Sequence, residues 1–309
     1  AAAWLAARRR LPDESRPALP GTRQLLEHAL VAGVTGFAVV WTAYRFSVGV
    51  AGGLLLPAPE FWRGLADVAQ HNGEGHPSFL LGEYGRDGWW YYFPVAVAVK
   101  TPLPWLLAAL AGVLACARGA RSDWRLLAPL AGAATVLLFG MTARINIGVR
   151  HVLPLYPLLA VAASVAIVAL WRTGVPARAL SAALAAWLVV NVAGAHPDHL
   201  AWFNELAGDH PERIMVDSNL DWGQDMLRVA RELEARKIEA VATACFGCQS
   251  LAYLSTVQVI PLRPGMRAEG WVVASETQLN GSYVKPHDAF RWLLEHEPVA
   301  RIGRSVRLY

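Results

Sequence analysis

Three cysteines in 309 residues are too few to staple a fold, which excludes a disulfide framework of the small secreted kind. Cys116 lies inside an apolar run, where a buried free thiol is expected. Only Cys245 and Cys248 stand close enough to pair, in Cys245-Phe246-Gly247-Cys248. That spacing between a strand and a helix is the context of a thioredoxin-like redox motif, but nothing else in the segment supports that fold. A structural disulfide and two unpaired thiols both stay open. The sequence also lacks an internal repeat and a low-complexity linker. Despite a net charge of +4, it has no basic face interleaved with aromatics, so nucleic acid is not expected as a partner. His71 with His76, and His196 with His199, have no third ligand at zinc spacing, so neither a metal nor a cofactor is expected.

The most informative absence is of charge. No Asp, Glu, Lys, Arg or His falls inside the apolar runs at about 29–44, 101–117, 126–143, 152–171 and 179–195. A bilayer core of ~30 Å asks for about 20 helical residues, so these runs predict about five membrane-spanning helices, the second of them short. Channels and proton-coupled transporters place ionisable groups within their spans. Their absence here moves any chemistry to the membrane surface. Mean hydropathy is only +0.31 because the chain changes character at His196. Residues 1–195 carry 16 Lys/Arg against 9 Asp/Glu, and residues 196–309 carry 12 against 15. The predicted fold class is therefore a membrane all-α bundle over 1–195, with a loop at 45–100, followed by a soluble α/β domain over 196–309.

Orientation follows from the basic residues near helix ends. Loops 1–28, 118–125 and 172–178 hold ten Lys/Arg in 43 residues; the opposite loops, 45–102 and 143–151, hold six in 67. The first set is expected to be cytoplasmic. The long loop and the C-terminal domain then lie extracytoplasmically. The chain opens with an apolar stretch followed by Arg8-Arg9-Arg10, the reverse of a signal peptide. It reads as the tail of a membrane helix with a basic stop, in a fragment whose upstream helices are missing.

Within the long loop, Pro57-Ala58-Pro59 is expected to end the first span. Residues 60–70 place Phe61, Trp62, Leu65, Val68 and Ala69 on one helical face, as in a helix lying in the membrane interface. His71-Asn72-Gly73-Glu74-Gly75-His76-Pro77 is turn chemistry. Trp89-Trp90-Tyr91-Tyr92 is an interfacial aromatic belt, and the prolines of Lys100-Thr101-Pro102-Leu103-Pro104 suit a helix start. Beyond His196, residues 218–221 read as a capping box. Residues 221–237 read as an amphipathic helix with Leu227, Ala230 and Leu233 inward, 239–246 and 271–275 as strands, 289–295 as a helix and 306–309 as a final strand.

Two cationic groups border the same predicted face, Lys100 and the run Arg144-Ile145-Asn146-Ile147-Gly148-Val149-Arg150-His151. Cations beside broken helices at an interface suit an anionic lipid headgroup, although both can also simply snorkel to water. Asp217, Asp221 and Asp225 recur at helical spacing, where they serve either a cation or sugar hydroxyls or, more simply, cap a helix start and complement its dipole. Glu83 stands in the long loop beside aromatics able to stack on a sugar, and is a weak candidate for a general acid or base.

Three stretches taken together resemble a known family. They are Gly88-Trp89-Trp90-Tyr91-Tyr92-Phe93-Pro94 with Lys100-Thr101-Pro102-Leu103-Pro104, then Asn146-Ile147-Gly148-Val149-Arg150-His151 with Leu153-Pro154 and Tyr156-Pro157, and Asp217-Ser218-Asn219-Leu220-Asp221-Trp222-Gly223-Gln224-Asp225. Over roughly 30–250 the chain resembles the C-terminal half of bacterial polyprenyl-phosphate-dependent glycosyltransferases of the GT-C fold, relatives of the protein O-mannosyltransferases and the aminoarabinose lipid A transferase. The resemblance implies inverting transfer of a sugar from a polyprenyl-phosphate donor to an unspecified acceptor, at the outer face of a bacterial inner membrane. It implies donor phosphate bound by Lys100, Arg150 and His151, with Tyr84, Trp89, Trp90, Asp217 and Asp221 lining the substrate site. The family's catalytic carboxylate lies in a loop that would precede Ala1, so the catalytic group of this chain is left unassigned. The alternative is a non-catalytic, membrane-anchored α/β domain acting in assembly or partner binding.

Overall fold

A computed structural model describes residues 21–119 and 124–309; the predicted basic stop at residues 8–10 lies outside the described residues. The first element, α1 (Thr22–Ala43), is 22 residues long and apolar, and buries none of its side chains against the rest of the described chain. It ends earlier than the sequence reading supposes. Gly52 and Gly53 adopt positive φ and turn the chain between β1 (Val48–Ala51) and β2 (Leu54–Pro57), with Ala51 paired to Leu54. Two left-handed residues in succession match the twist of a tight hairpin, so the stretch before Pro57-Ala58-Pro59 is a hairpin and not the end of a span. The expected amphipathic helix follows as α2 (Pro59–Glu74), whose Leu65 and Val68 face outward with no protein over them. A second small hairpin, β3 (Ser78–Leu80) with β4 (Glu83–Gly85), leads to the aromatic belt.

The second expected span is broken. It consists of α3 (Tyr92–Lys100) and α4 (Leu103–Gly119), bent by 120°. Pro102 has no N–H to return to Ala98 O, and such a break leaves carbonyls that are costly to bury unpaired. Asn204, itself buried, supplies the missing donor: its Nδ2 donates to Ala98 O and to Thr101 O, each at 2.6 Å, and its backbone N–H donates to Val99 O at 2.9 Å. The Thr101 hydroxyl is bonded to the Tyr156 hydroxyl at 2.7 Å.

The bundle continues with α5 (Leu127–Met141), α6 (Leu155–Arg172) and α7 (Val175–Ala195). Small residues set its packing. Ala109, Gly112 and Cys116 of α4 are buried, as are Ala162, Ala163 and Ala166 of α6, and a Cβ on Gly112 would overlap the Ala162 carbonyl. Close backbone approach of this kind is how apolar helices associate where burial alone gives no drive. α1, α6 and α7 are long and apolar enough to cross a membrane, and the bent α3–α4 pair makes a fourth at most. At 15 residues, α5 spans only about 22 Å. Among the described residues the chain thus has helices of the kind that cross a membrane, three or four in place of about five.

Beyond the bundle, the chain packs in two stages. Ala201, Phe203, Met215, Val216 and Leu220 share a core with Tyr92, Phe93, Ala96 and Val99 of α3, so residues just past His196 belong by packing to the helices. A separate core begins with α8 (Met226–Ala235), which covers a mixed five-stranded sheet of β5 (Ala240–Ala244), β6 (Gln258–Pro261), β7 (Val272–Ser275), β8 (Ala300–Ile302) and β9 (Val306–Leu308) in the order β6-β5-β7-β9-β8. β5 pairs parallel with β6 and β7, and β9 antiparallel with β7 and β8. Val241 and Val273 face α8, while Ala242, Ala244, Val272 and Ala274 face Leu279, Phe290 and Leu293 on the far side.

Three local expectations change. α8 starts at Met226, not at residue 221, and buries Met226, Val229, Ala230 and Leu233, leaving Leu227 exposed. Residues 217–219 form one 3-10 turn and the chain to residue 225 is irregular, with a left-handed Gly223, so residues 218–221 form no capping box. The helix expected at 289–295 is a 3-10 turn, Arg291–Glu295.

Asn204→Ala leaves Ala98 O and Thr101 O without their shared donor at the helix break. We expect a loss of about 2–4 kcal/mol of stability, read as a lower thermal midpoint of the purified full chain in detergent; an unchanged midpoint would contradict the role given to Asn204.

Candidate functional site

Residues 146–152, residues 217–225 and the two ends of α3 meet at one residue, Asn219, through its side chain and its main-chain carbonyl. Its Nδ2 donates to the Tyr92 hydroxyl at 2.9 Å, its Oδ1 accepts the Val149 N–H at 3.0 Å, and its carbonyl accepts from Lys100 Nζ at 2.6 Å. The residue is 1% exposed, so every one of these bonds is made away from water, where losing a partner is most costly. Beside it the Ser218 hydroxyl donates to Ile147 O at 2.6 Å. Gly148 fits only because it has no Cβ, which would collide with the Ser218 hydroxyl. On the other side Asn146 Oδ1 accepts the Trp89 N–H at 2.7 Å, linking the aromatic belt to the same turn.

Lys100 donates to three backbone carbonyls, Leu200 O, Trp202 O and Asn219 O, each at 2.6 Å, and lies 4.2 Å from the centre of the Phe203 ring. An ammonium has three donors, and all three are engaged. The structure therefore gives Lys100 a structural role, tying the helix break to residues 200–219, in place of the phosphate contact expected from sequence.

Arg150 is free in a way Lys100 is not. It sits on a 3-10 turn, Val149–Val152, and is exposed; its guanidinium makes no hydrogen bond or ion pair among the described residues and lies 4.5 Å from the centre of the Trp222 ring. A cation over a ring face is attracted without using its N–H donors, so the fork of the group stays open. Trp222 is in turn stacked on Phe246 at 4.9 Å, next to Cys245 and Cys248, which are joined as a disulfide. His151 is exposed, with its ring 6.2 Å from that of Phe93. Partial burial and the Arg150 charge hold it below the usual histidine range.

Beneath Arg150 lies a carboxylate pair. Asp217 has φ of 62°, a conformation an L residue other than Asn or Asp seldom adopts. Its Oδ1 accepts the Ser218 N–H, and its Oδ2 is buried without a partner. Burial pushes Asp217 up to about 7, against the pull of the Ser218 N–H and of Arg150. Asp221 is 1% exposed; its Oδ1 accepts the Gly223 N–H at 3.1 Å and its Oδ2 also lacks a partner. Burial raises it to about 6, with the Ser275 hydroxyl and the Gly223 N–H opposing. Asp225 differs, being bonded to Ser305 at 2.7 Å and paired with Arg228 at 3.0 Å. Asp225 precedes α8 without capping it by its side chain, Asp217 opens a single 3-10 turn, and Asp221 is on no helix.

The expected site residues thus fall into two groups. Arg150, His151, Asp217 and Asp221 gather around Asn219, with Trp89 bonded to the same turn and Trp90 exposed near it in sequence. Glu83 and Tyr84 are elsewhere, on the β4 hairpin. Tyr84 stacks on His287 with ring centres 3.9 Å apart and donates to Asn280 O at 2.5 Å, while the exposed Glu83 carboxylate makes no hydrogen bond or ion pair. Sequence reasoning overlooked the parts played by Asn219, Ser218 and Trp222; the adjoining Gly148 and the Asp-Ser-Asn run were the signals available for them. Comparisons of the chain with family models, with curated proteins and with solved structures find no match.

The raised carboxyls set a pH dependence with a definite sign. The folded state holds protons on Asp217 and Asp221 more tightly than the unfolded state, so the contribution of these two carboxyls to stability falls as pH rises from about 4 to about 7 and levels off above that. Asp217→Asn should flatten that decline in thermal-melt profiles of the full chain. A profile as steep as that of the unmodified protein would contradict the assignment.

Proposed function

We propose that the chain is part of a membrane glycosyltransferase that uses a polyprenyl-phosphate sugar donor, and that Arg150 binds the donor phosphate. The observation that carries the reading is the exposed Arg150 guanidinium, which has no hydrogen bond or ion pair among the described residues and lies 4.5 Å from the centre of the Trp222 ring, at the junction of all three motif segments. A lipid phosphodiester needs a cation at the depth of its headgroup, preferably one with a preformed fork. On this reading the face bearing Arg150 is the outer face of a bacterial inner membrane, with α2 lying in the interface through Leu65 and Val68 and the sheet domain above it. His151 and the Trp89–Trp90 pair border the donor, and Lys100 acts through Asn219 as a positioning residue.

Asp217 modulates the cation. Protonated, it leaves the Arg150 charge uncompensated; ionised, it offers a competing anion to the donor phosphate. The sugar and its acceptor, and the group that activates the acceptor, are not assigned to residues of this chain.

Arg150→Ala should weaken binding of a short-chain polyprenyl phosphate to the purified full chain about tenfold or more, as expected for a lost charge-assisted bond, and Arg150→Lys should recover only part of it. Equal affinity across the three proteins would overturn the donor assignment. It would favour the non-catalytic anchor, provided the complete gene product also transfers no sugar.

A further inference from the structure

A cleft of about 850 Å³ opens between the β3–β4 hairpin and the far side of the sheet domain. It is separate in its residues from the Arg150 site. Four arginines line it, Arg213, Arg291, Arg301 and Arg307. Arg307 is fixed by a two-pronged pair with the buried Glu276, at 2.6 and 2.9 Å. The other three are exposed, and their guanidinium groups make no hydrogen bond or ion pair among the described residues. The acidic residues of the lining do not balance them: Glu276 is engaged by Arg307, Glu212 lies 3.0 Å from His210 Nδ1, and Asp288 alone has no side-chain partner. Such a surplus of open guanidinium forks in a concavity favours an oxyanion that can be gripped at two oxygens at once.

The lining is also aromatic. Tyr84 and His287 are stacked with their planes within 3° of parallel, the Tyr84 hydroxyl is anchored on Asn280 O, and Tyr84 stays 41% exposed. A rigid, half-exposed ring held by stacking and by its hydroxyl suits the apolar face of a sugar ring at little entropic cost. The volume falls within the roughly 300–1,000 Å³ of small-molecule sites and far exceeds what a bare phosphate needs.

We propose that this cleft binds a phosphorylated sugar, its ring on Tyr84 and its phosphate between Arg291 and Arg301. That the sugar is the acceptor of the transfer rests on the glycosyltransferase reading; that it binds here does not.

The test is calorimetric titration of the full chain in phosphatidylcholine nanodiscs with glucose 1-phosphate, glucose and inorganic phosphate. We expect glucose 1-phosphate to bind at least about tenfold more tightly than either of the others. Arg291→Ala, Arg301→Ala and Tyr84→Ala should each weaken it severalfold, and Arg291→Lys should restore binding only in part. Polyprenyl-phosphate binding, measured in parallel, should be untouched by the Arg291 and Arg301 variants, so the two assignments fail separately. No measurable binding of glucose 1-phosphate, equal binding of glucose, equal binding of inorganic phosphate, or affinity unchanged in the Arg291→Ala/Arg301→Ala double variant would each overturn the proposal.

Discussion

A helix broken by proline in an apolar bundle leaves backbone carbonyls that something else must satisfy, and the architecture here is organised around that need. At Thr101-Pro102 the need is met by Asn204, two residues beyond the Leu200–Trp202 backbone held by Lys100. The lysine then reaches on to Asn219 O. Asn219 carries the connection to Tyr92 and to the turn before α6. A buried network in which each member satisfies the others is rigid, because removing any one leaves several polar groups unpaired.

Arg150 and Asp217 inherit their positions from this network. Arg150 projects from the turn whose Val149 N–H is bonded to Asn219, and Asp217 precedes Asn219 by two residues in a backbone conformation that only surrounding contacts can sustain. The geometry opposes an exposed cation to a sealed carboxyl that burial keeps near neutrality, with an indole between the cation and the sheet domain. The disulfide of Cys245 and Cys248 adjoins the Phe246 ring on which that indole rests. The sheet domain is thereby part of the site and not a passenger on the helices.

Much of this was legible in the sequence, and the misses have physical causes. Uncharged runs mark helices reliably because burying charge in lipid is prohibitive, but composition cannot show that Pro102 bends the second run by 120° or that Gly52-Gly53 folds the stretch between the first run and Pro57-Ala58-Pro59 into a hairpin. The three motifs were visible as strings. What they do was not, because a lysine at a membrane interface looks alike whether it faces a phosphate or three carbonyls; only the partners distinguish the two. The aspartates at 217, 221 and 225 have helical spacing without a helix, since the left-handed Asp217 and Gly223 stop one from forming. Tyr84 was expected beside Arg150 but is drawn to His287 and Asn280 by contacts about 200 residues away in sequence.

The central claim is that the turn before α6 and the Asp-Ser-Asn turn are locked together into one site. A Cβ on Gly148 would stand 3.6 Å from the Ser218 Cβ, within the separation that a disulfide spans. Mild oxidation of Gly148→Cys/Ser218→Cys in native membranes, read by mass spectrometry of linked peptides, measures that contact directly. The account predicts efficient intramolecular crosslinking of the two introduced thiols. Thiols that stay free, or that crosslink only between chains, would contradict it.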